Sequence, residues 1–184
     1  MIDRYEIRLS GSGGQGLILA GKILAEAVAI FDGHNAVQTQ SYGPVARGGA
    51  SKAEVVIRDG EIDYPKAMKL DLLLALTQAS CKKYSGDLKE NAILIVDSDT
   101  VTKLPEGNFR VYSAPISRIA LEEVGKTVVT NIVALGIITK ISGIVSEEAM
   151  RKAILKRVPK GTEELNMKAF DVGLKKGEEL LNAG

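Results

Sequence analysis

Near the start of the chain, Gly11-Ser12-Gly13-Gly14-Gln15-Gly16 has the composition and spacing of a main-chain anion cradle. Residues without a Cβ can take positive φ and let another molecule's phosphate approach the backbone closely. A helix leaving such a turn aims its free N–H groups and the positive end of its dipole at that anion. Gly11, Gly13 and Gly16 also fit the dinucleotide fingerprint G-x-G-x-x-G. That fingerprint needs an acidic residue about 20 residues on, ending the second strand, to hold a ribose hydroxyl. Here the second strand, near residues 35–40, ends in glutamine, threonine and serine. A phosphate-bearing guest is the natural expectation, and nicotinamide dinucleotide is disfavoured. On the loop alone a second reading stays open, in which the glycines only let strand and helix pack closely.

Arg47 is the second candidate, standing in Tyr42-Gly43-Pro44-Val45-Ala46-Arg47-Gly48-Gly49. The setting frees backbone amides and offers a fork-shaped cation that can grip an anion bidentately. Loops leaving the carboxyl ends of neighbouring parallel strands meet at one sheet edge, where ligands bind. Residues 11–16 and 40–49 are therefore expected to form two walls of one cleft; a solvated Arg47 beside a tight bend is the alternative. The single His34, in a turn beside Asp32 and Gly33, reads as a solvated turn residue, since metal sites need clustered ligands. The single Cys81 can neither form an internal disulfide nor ligate an iron–sulfur cluster by itself.

The elements that must position these residues alternate. Tyr5-Glu6-Ile7-Arg8-Leu9 reads as a strand, and residues 17–27 carry apolar side chains at helical spacing, with Gly33 as a stop. Residues 36–42, a polar glycine-rich loop and residues 52–58 follow as strand, special loop, strand, closed by Asp59-Gly60. Residues 71–77 and 92–97 are continuous apolar runs, as strands buried on both faces of a parallel sheet require, with a polar helix around Cys81 between them. Residues 109–113 form another strand, and Pro115 suits the first turn of the next helix. Helical spacing then dominates, with Thr130 or Asn131 and Ser146 as N-caps and a last amphipathic helix from Thr162. The pattern predicts an α/β fold, a Rossmann-like sandwich around a mostly parallel sheet, with a helical C-terminal arm and residues 1–184 as one domain.

Composition narrows the function. Of 184 residues 45% are hydrophobic and 26% charged, an ordinary globular balance that excludes a disordered or collagen-like chain. A net charge of +1 leaves no basic footprint for nucleic acid, and 4% aromatics without tryptophan disfavour a base-stacking platform. No apolar run reaches the 18 or so residues that a bilayer demands, and the N-terminus lacks a signal-peptide pattern, so a cytoplasmic protein without membrane contact is expected.

With both glycine-rich stretches read, the sequence resembles the gamma subunit of the 2-oxoacid:ferredoxin oxidoreductases. The matching segments are Gly11-Ser12-Gly13-Gly14-Gln15-Gly16 and Gln38-Thr39-Gln40-Ser41-Tyr42-Gly43-Pro44-Val45-Ala46-Arg47-Gly48-Gly49-Ala50-Ser51, with Asp63-Tyr64-Pro65 and Thr130-Asn131 beyond them. The wording of the second segment is most similar to the 2-oxoglutarate branch. The resemblance implies a complex that converts a 2-oxoacid and coenzyme A to an acyl-CoA and carbon dioxide, passing electrons to ferredoxin. It further implies alpha, beta and ferredoxin-like delta partner subunits, which carry thiamine diphosphate, magnesium and iron–sulfur clusters. This chain has no Gly-Asp-Gly with paired asparagines for the thiamine cofactor and no cysteine ligand set, and is not expected to act alone. The implied binding residues are Gly11, Ser12, Gly13, Gly14, Gln15, Gly16, Arg47, Gly48, Gly49 and Asn131, directed at coenzyme A. Two rivals remain: an architectural subunit whose loops touch only partner chains, and a free-standing nucleotide-dependent oxidoreductase.

Overall fold

The alternation in the sequence closes into one six-stranded sheet. The structure, a computed structural model, describes residues 1–41 and 50–184. Strands β1 (Tyr5–Ser12), β2 (Asn35–Ser41), β3 (Ala50–Arg58), β4 (Leu70–Ala75), β5 (Leu88–Asp97) and β6 (Arg110–Ala114) lie in the order β2-β3-β1-β4-β5-β6. β1, β4, β5 and β6 run parallel, whereas β3 is antiparallel to both β1 and β2. The expected mostly parallel sheet is present, with one correction. β1 and β2 are not neighbours, because β3 lies between them. The cause is chain length: the connection at 42–49 is shorter than the dozen or so residues a parallel crossover needs, so β3 must fold back on β2. The edge is nonetheless shared. Ser12 is paired with Ala50 and Ser41 with Lys52, so both glycine-rich stretches leave the sheet at the same end.

Helix α1 (Leu17–Glu26) continues as a π-helical turn, Ala27–Phe31, and stops at Gly33, as expected. Helix α2 (Gln78–Tyr84) covers the opposite face of the sheet. Helix α3 (Ile116–Ile119) follows Pro115, and α4 (Thr130–Ser142), α5 (Glu147–Arg157) and α6 (Glu163–Ala183) complete the α1 side. The C-terminal helices are therefore a packed layer rather than an arm. α4 is the innermost of them, buried at Ile132, Val133, Leu135, Ile137 and Ile138. Among the described residues no helix is long and apolar enough to cross a membrane.

Two capping expectations divide. Ser146 caps α5, its hydroxyl accepting the Ala149 N–H at 3.1 Å. Neither Thr130 nor Asn131 caps α4, because a 3-10 turn at Thr127–Val129 leads into the helix and places Val129 at the cap. The Thr130 hydroxyl instead donates to the Thr127 carbonyl at 2.6 Å, and the Asn131 amide reaches elsewhere.

β1 separates two environments by simple alternation. Ile7 and Leu9 face the apolar layer of α1 and α4. Glu6, Arg8 and Ser10 face the other way and are buried too. Arg8 donates to Glu54 and Asp87 at 2.6 Å each and to the Ala67 carbonyl at 3.3 Å, and its guanidinium lies 4.8 Å from the centre of the Tyr84 ring. Burial opposes that charge, but the hydrogen bonds it donates to Asp87 and Glu54 outweigh this and hold the guanidinium above the ordinary arginine range. Glu6 accepts from the Met68 and Lys69 N–H groups, and Arg4 donates to the Tyr64 and Lys66 carbonyls. The Asp63-Tyr64-Pro65 segment is thus strapped to the start of β1.

α4 and α6 approach through glycine. A Cβ on Gly136 would sit 2.5 Å from the Phe170 carbonyl oxygen and 2.8 Å from the Gly173 backbone, so the helices touch main chain to main chain. Gly136→Ala should lower stability by roughly 1–3 kcal/mol through overpacking, while Gly86→Ala, with nothing within 4 Å, should change little. Equal urea midpoints for the two variants would contradict this packing. Arg8→Met, which leaves the buried Glu54 with only Lys52 at 3.8 Å, should cost about 3–5 kcal/mol, and the double variant Arg8→Met/Glu54→Leu should recover part of that loss in the same measurement.

Candidate functional site

The turn between β1 and α1 is built from main chain. Gly14 has φ +85° and Gly16 φ +71°, the left-handed region that favours glycine. Gly16 occupies the cap position of α1, so among the described residues no side chain satisfies the first N–H groups of the helix, and no acidic residue stands in its first turn. The Gln15 carboxamide folds back and accepts the Ser12 N–H at 2.7 Å. It fills the space that a Cβ on Gly11 would need. Gly16 is equally confined, since a Cβ there would lie 2.5 Å from the Asn131 amide nitrogen.

Gly13 and Gly14 are different. A Cβ on either meets nothing within 4 Å among the described residues, and Gly13 does not need positive φ. Nothing described in this chain requires a glycine at 13. Main chain there faces a concavity of about 110 Å³ lined by residues 12–19 and Ser51. Bare donors at a helix N-terminus, with a small opening before them, are suited to a phosphate-sized anion.

Asn131 belongs to this turn although it is 115 residues away. Its amide donates to the Gly16 carbonyl at 3.1 Å, the same oxygen that accepts the Ala20 N–H at 3.0 Å. Asn131 also lines an apolar groove of about 190 Å³ with Leu19, Val128, Val158, Pro159 and Leu165. The structure therefore brings Gly11, Ser12, Gly13, Gly14, Gln15, Gly16 and Asn131 together. Arg47, Gly48 and Gly49 lie outside the described residues. Ser51, which sequence reasoning gave no part in binding, lines the concavity; the signal for it was the alternation of Ser51, Ala53, Val55 and Ile57 along β3.

Other chemistry-bearing groups are engaged structurally. His34, expected to be solvated, contacts Asp59 through Nδ1. The Asp59 carboxyl is held below the usual carboxylate range by the Ile2 N–H and then by His34. Burial pushes the Cys81 thiol up, away from the thiolate form. Among the described residues no group of His, Cys, Asp and Glu is arranged to hold a metal ion.

Comparison with known proteins gives this geometry its setting. The family described as pyruvate ferredoxin/flavodoxin oxidoreductase matches residues 6–176. The chain is 55% identical to 2-oxoglutarate synthase subunit KorC of Methanocaldococcus jannaschii over 96% of each chain. Its fold superposes on the keto/oxoacid ferredoxin oxidoreductase gamma subunit of Geobacter sulfurreducens with a TM-score of 0.90, at 56% identity and covering 96% of this chain and 98% of that one. It also superposes, with a TM-score of 0.86, on 2-oxoglutarate:ferredoxin oxidoreductase of Magnetococcus marinus with 2-oxoglutarate, coenzyme A and succinyl-CoA bound. That likeness, at 20% identity over 98% of this chain and 32% of the other, is one of fold alone.

The turn makes a test of its own. Gly16→Ala combines left-handed strain of about 1–2 kcal/mol with displacement of Asn131. Gly13→Ala should shift stability by less than about 0.5 kcal/mol. Thermal unfolding of the two variants should therefore separate them clearly, and a Gly13→Ala loss as large as that of Gly16→Ala would show that position 13 is constrained from within.

Proposed function

The chain belongs to the pyruvate ferredoxin/flavodoxin oxidoreductase family, and from that premise we propose that it is the gamma-type subunit of a cytoplasmic 2-oxoglutarate:ferredoxin oxidoreductase. The complex converts 2-oxoglutarate and coenzyme A to succinyl-CoA and carbon dioxide, with electrons delivered to ferredoxin. Full-length similarity to a 2-oxoglutarate synthase subunit supports that substrate over pyruvate, branched-chain 2-oxoacids or indolepyruvate. Residues 1–184 act as one domain. The alpha, beta and ferredoxin-like delta partners hold thiamine diphosphate, magnesium and the iron–sulfur clusters, for which this chain offers no cysteine set.

Its own task is to receive the phosphate end of coenzyme A. The observation that carries this reading is the bare main chain at Gly13 and Gly14, facing an opening at the uncapped N-terminus of α1. The amides around Gly13, Gly14 and Gly16 supply the donors, Gln15 and Asn131 hold the turn in shape, and Arg47, with Gly48 and Gly49, is the cation assigned to support the phosphate. A second reading, in which a partner chain fills this end of the molecule, is favoured by the apolar groove beside Asn131, where Val128 is 73% exposed.

Kinetics of the reconstituted complex separate the two. With coenzyme A as the varied substrate, Arg47→Ala should raise its KM about tenfold or more, the worth of one charge-assisted contact, and Gly13→Ala should raise it by setting a methyl group where the phosphate approaches, with subunit assembly intact in both. An unchanged KM together with loss of assembly would favour the second reading.

A further inference from the structure

Ser51 sits where β3 begins, directly opposite Gly11 in the β1 pairing. Odd-numbered positions of β3 face α1: Val55 and Ile57 enter the apolar layer beneath that helix, and Ala53 lies against Gly21. By the same alternation Ser51 points toward the first turn of α1, beyond the end of the apolar layer. The residue is only 7% exposed. Its hydroxyl makes no hydrogen bond to any described residue, and Ser51 lines the same concavity as the glycine turn. Gly11 beside it has no side chain, and Gln15 occupies that space with its oxygen turned to the Ser12 N–H. Ser51 is thus a nearly buried polar group facing the uncapped start of a helix of ten residues.

We infer that the Ser51 hydroxyl is a specificity-determining donor to the phosphate group seated at the N-terminus of α1, approaching it from the sheet side. The inference rests on the reading of this turn as the coenzyme A end of the molecule and adds to it a side-chain contact. Main-chain N–H groups accept any anion that fits; a hydroxyl anchored on a strand fixes the direction from which a phosphate oxygen must come. Serine suits this position because its short side chain sets a hydroxyl at the rim of the opening, and alanine would leave the sheet side without a donor.

The test uses the assembled complex with Ser51→Ala and Ser51→Thr, the latter keeping the hydroxyl on a strand-compatible residue. Ser51→Ala should raise the KM for coenzyme A about tenfold while leaving kcat and the KM for the 2-oxoacid within twofold. Ser51→Thr should stay within threefold of the native KM for coenzyme A. Gly14→Val serves as the reference for the turn itself. If Gly14→Val raises the KM for coenzyme A and Ser51→Ala does not, the hydroxyl is not the donor, although the turn still binds. If neither variant moves it, both the inference and the reading beneath it fail. A parallel rise in the KM for the 2-oxoacid with Ser51→Ala would mark a structural role and overturn the inference as well.

Discussion

The carbonyl oxygen of Gly16 accepts two hydrogen bonds, one from the Ala20 N–H inside α1 and one from the Asn131 amide on α4. This shared acceptor fastens the glycine turn to the last third of the chain, as Asp32 with Ser146 and Glu26 with Arg157 fasten the far end of the first helix. A left-handed glycine turn has no side chains of its own to hold its shape, so its geometry must be imposed from outside. Here a helix that is buried almost all round imposes it. α4 has little room to shift, since its far side is pressed onto α6 backbone to backbone. The Gly16 end of the cradle is thus fastened to the core, while Gly13 and Gly14 stand clear of it.

The two faces of the sheet accomplish different things. On the α1 side the interior is hydrocarbon, and the strands only support the helices. On the other side a buried guanidinium gathers Glu54, Asp87 and a carbonyl under the Tyr84 ring, while Glu6 and Arg4 bind the segment before β4. An ion pair sealed in this way contributes little net stability compared with a hydrocarbon filling, but it admits very few alternative arrangements of the connections it joins. β3 profits from this most directly. Glu54 anchors its middle, and its first residues, Ala50 and Ser51, then fall beside the glycine turn.

Much of this was legible in the chain itself, for reasons that differ from residue to residue. The runs at 71–77 and 92–97 are apolar because their strands are covered on both faces, and they fell where expected. The glycine turn was legible because few backbone geometries need so many residues without a Cβ. The antiparallel β3 was missed although its signal, the short connection at 42–49, was present. Asn131 was recognisable by resemblance, but its bond to Gly16 spans 115 residues and no local pattern encodes it. Thr130 and Asn131 have good capping chemistry, yet the preceding 3-10 turn takes the cap position away from them. Ser51 was passed over because a serine at a strand start is unremarkable until the neighbouring helix is seen to end above it.

The glycines at 136, 173 and 177 also set where the molecule tolerates a change of length. Each inserted residue rotates the remainder of a helix by about 100°. One residue added between 170 and 177 would swing Gly177 off Lys140 and Ile137 and drive a side chain into the groove it fills. α6 is thus indexed along its inner stretch like a toothed rack as far as Leu180, which still packs against the core, whereas residues 181–184 are exposed to solvent and free of that constraint.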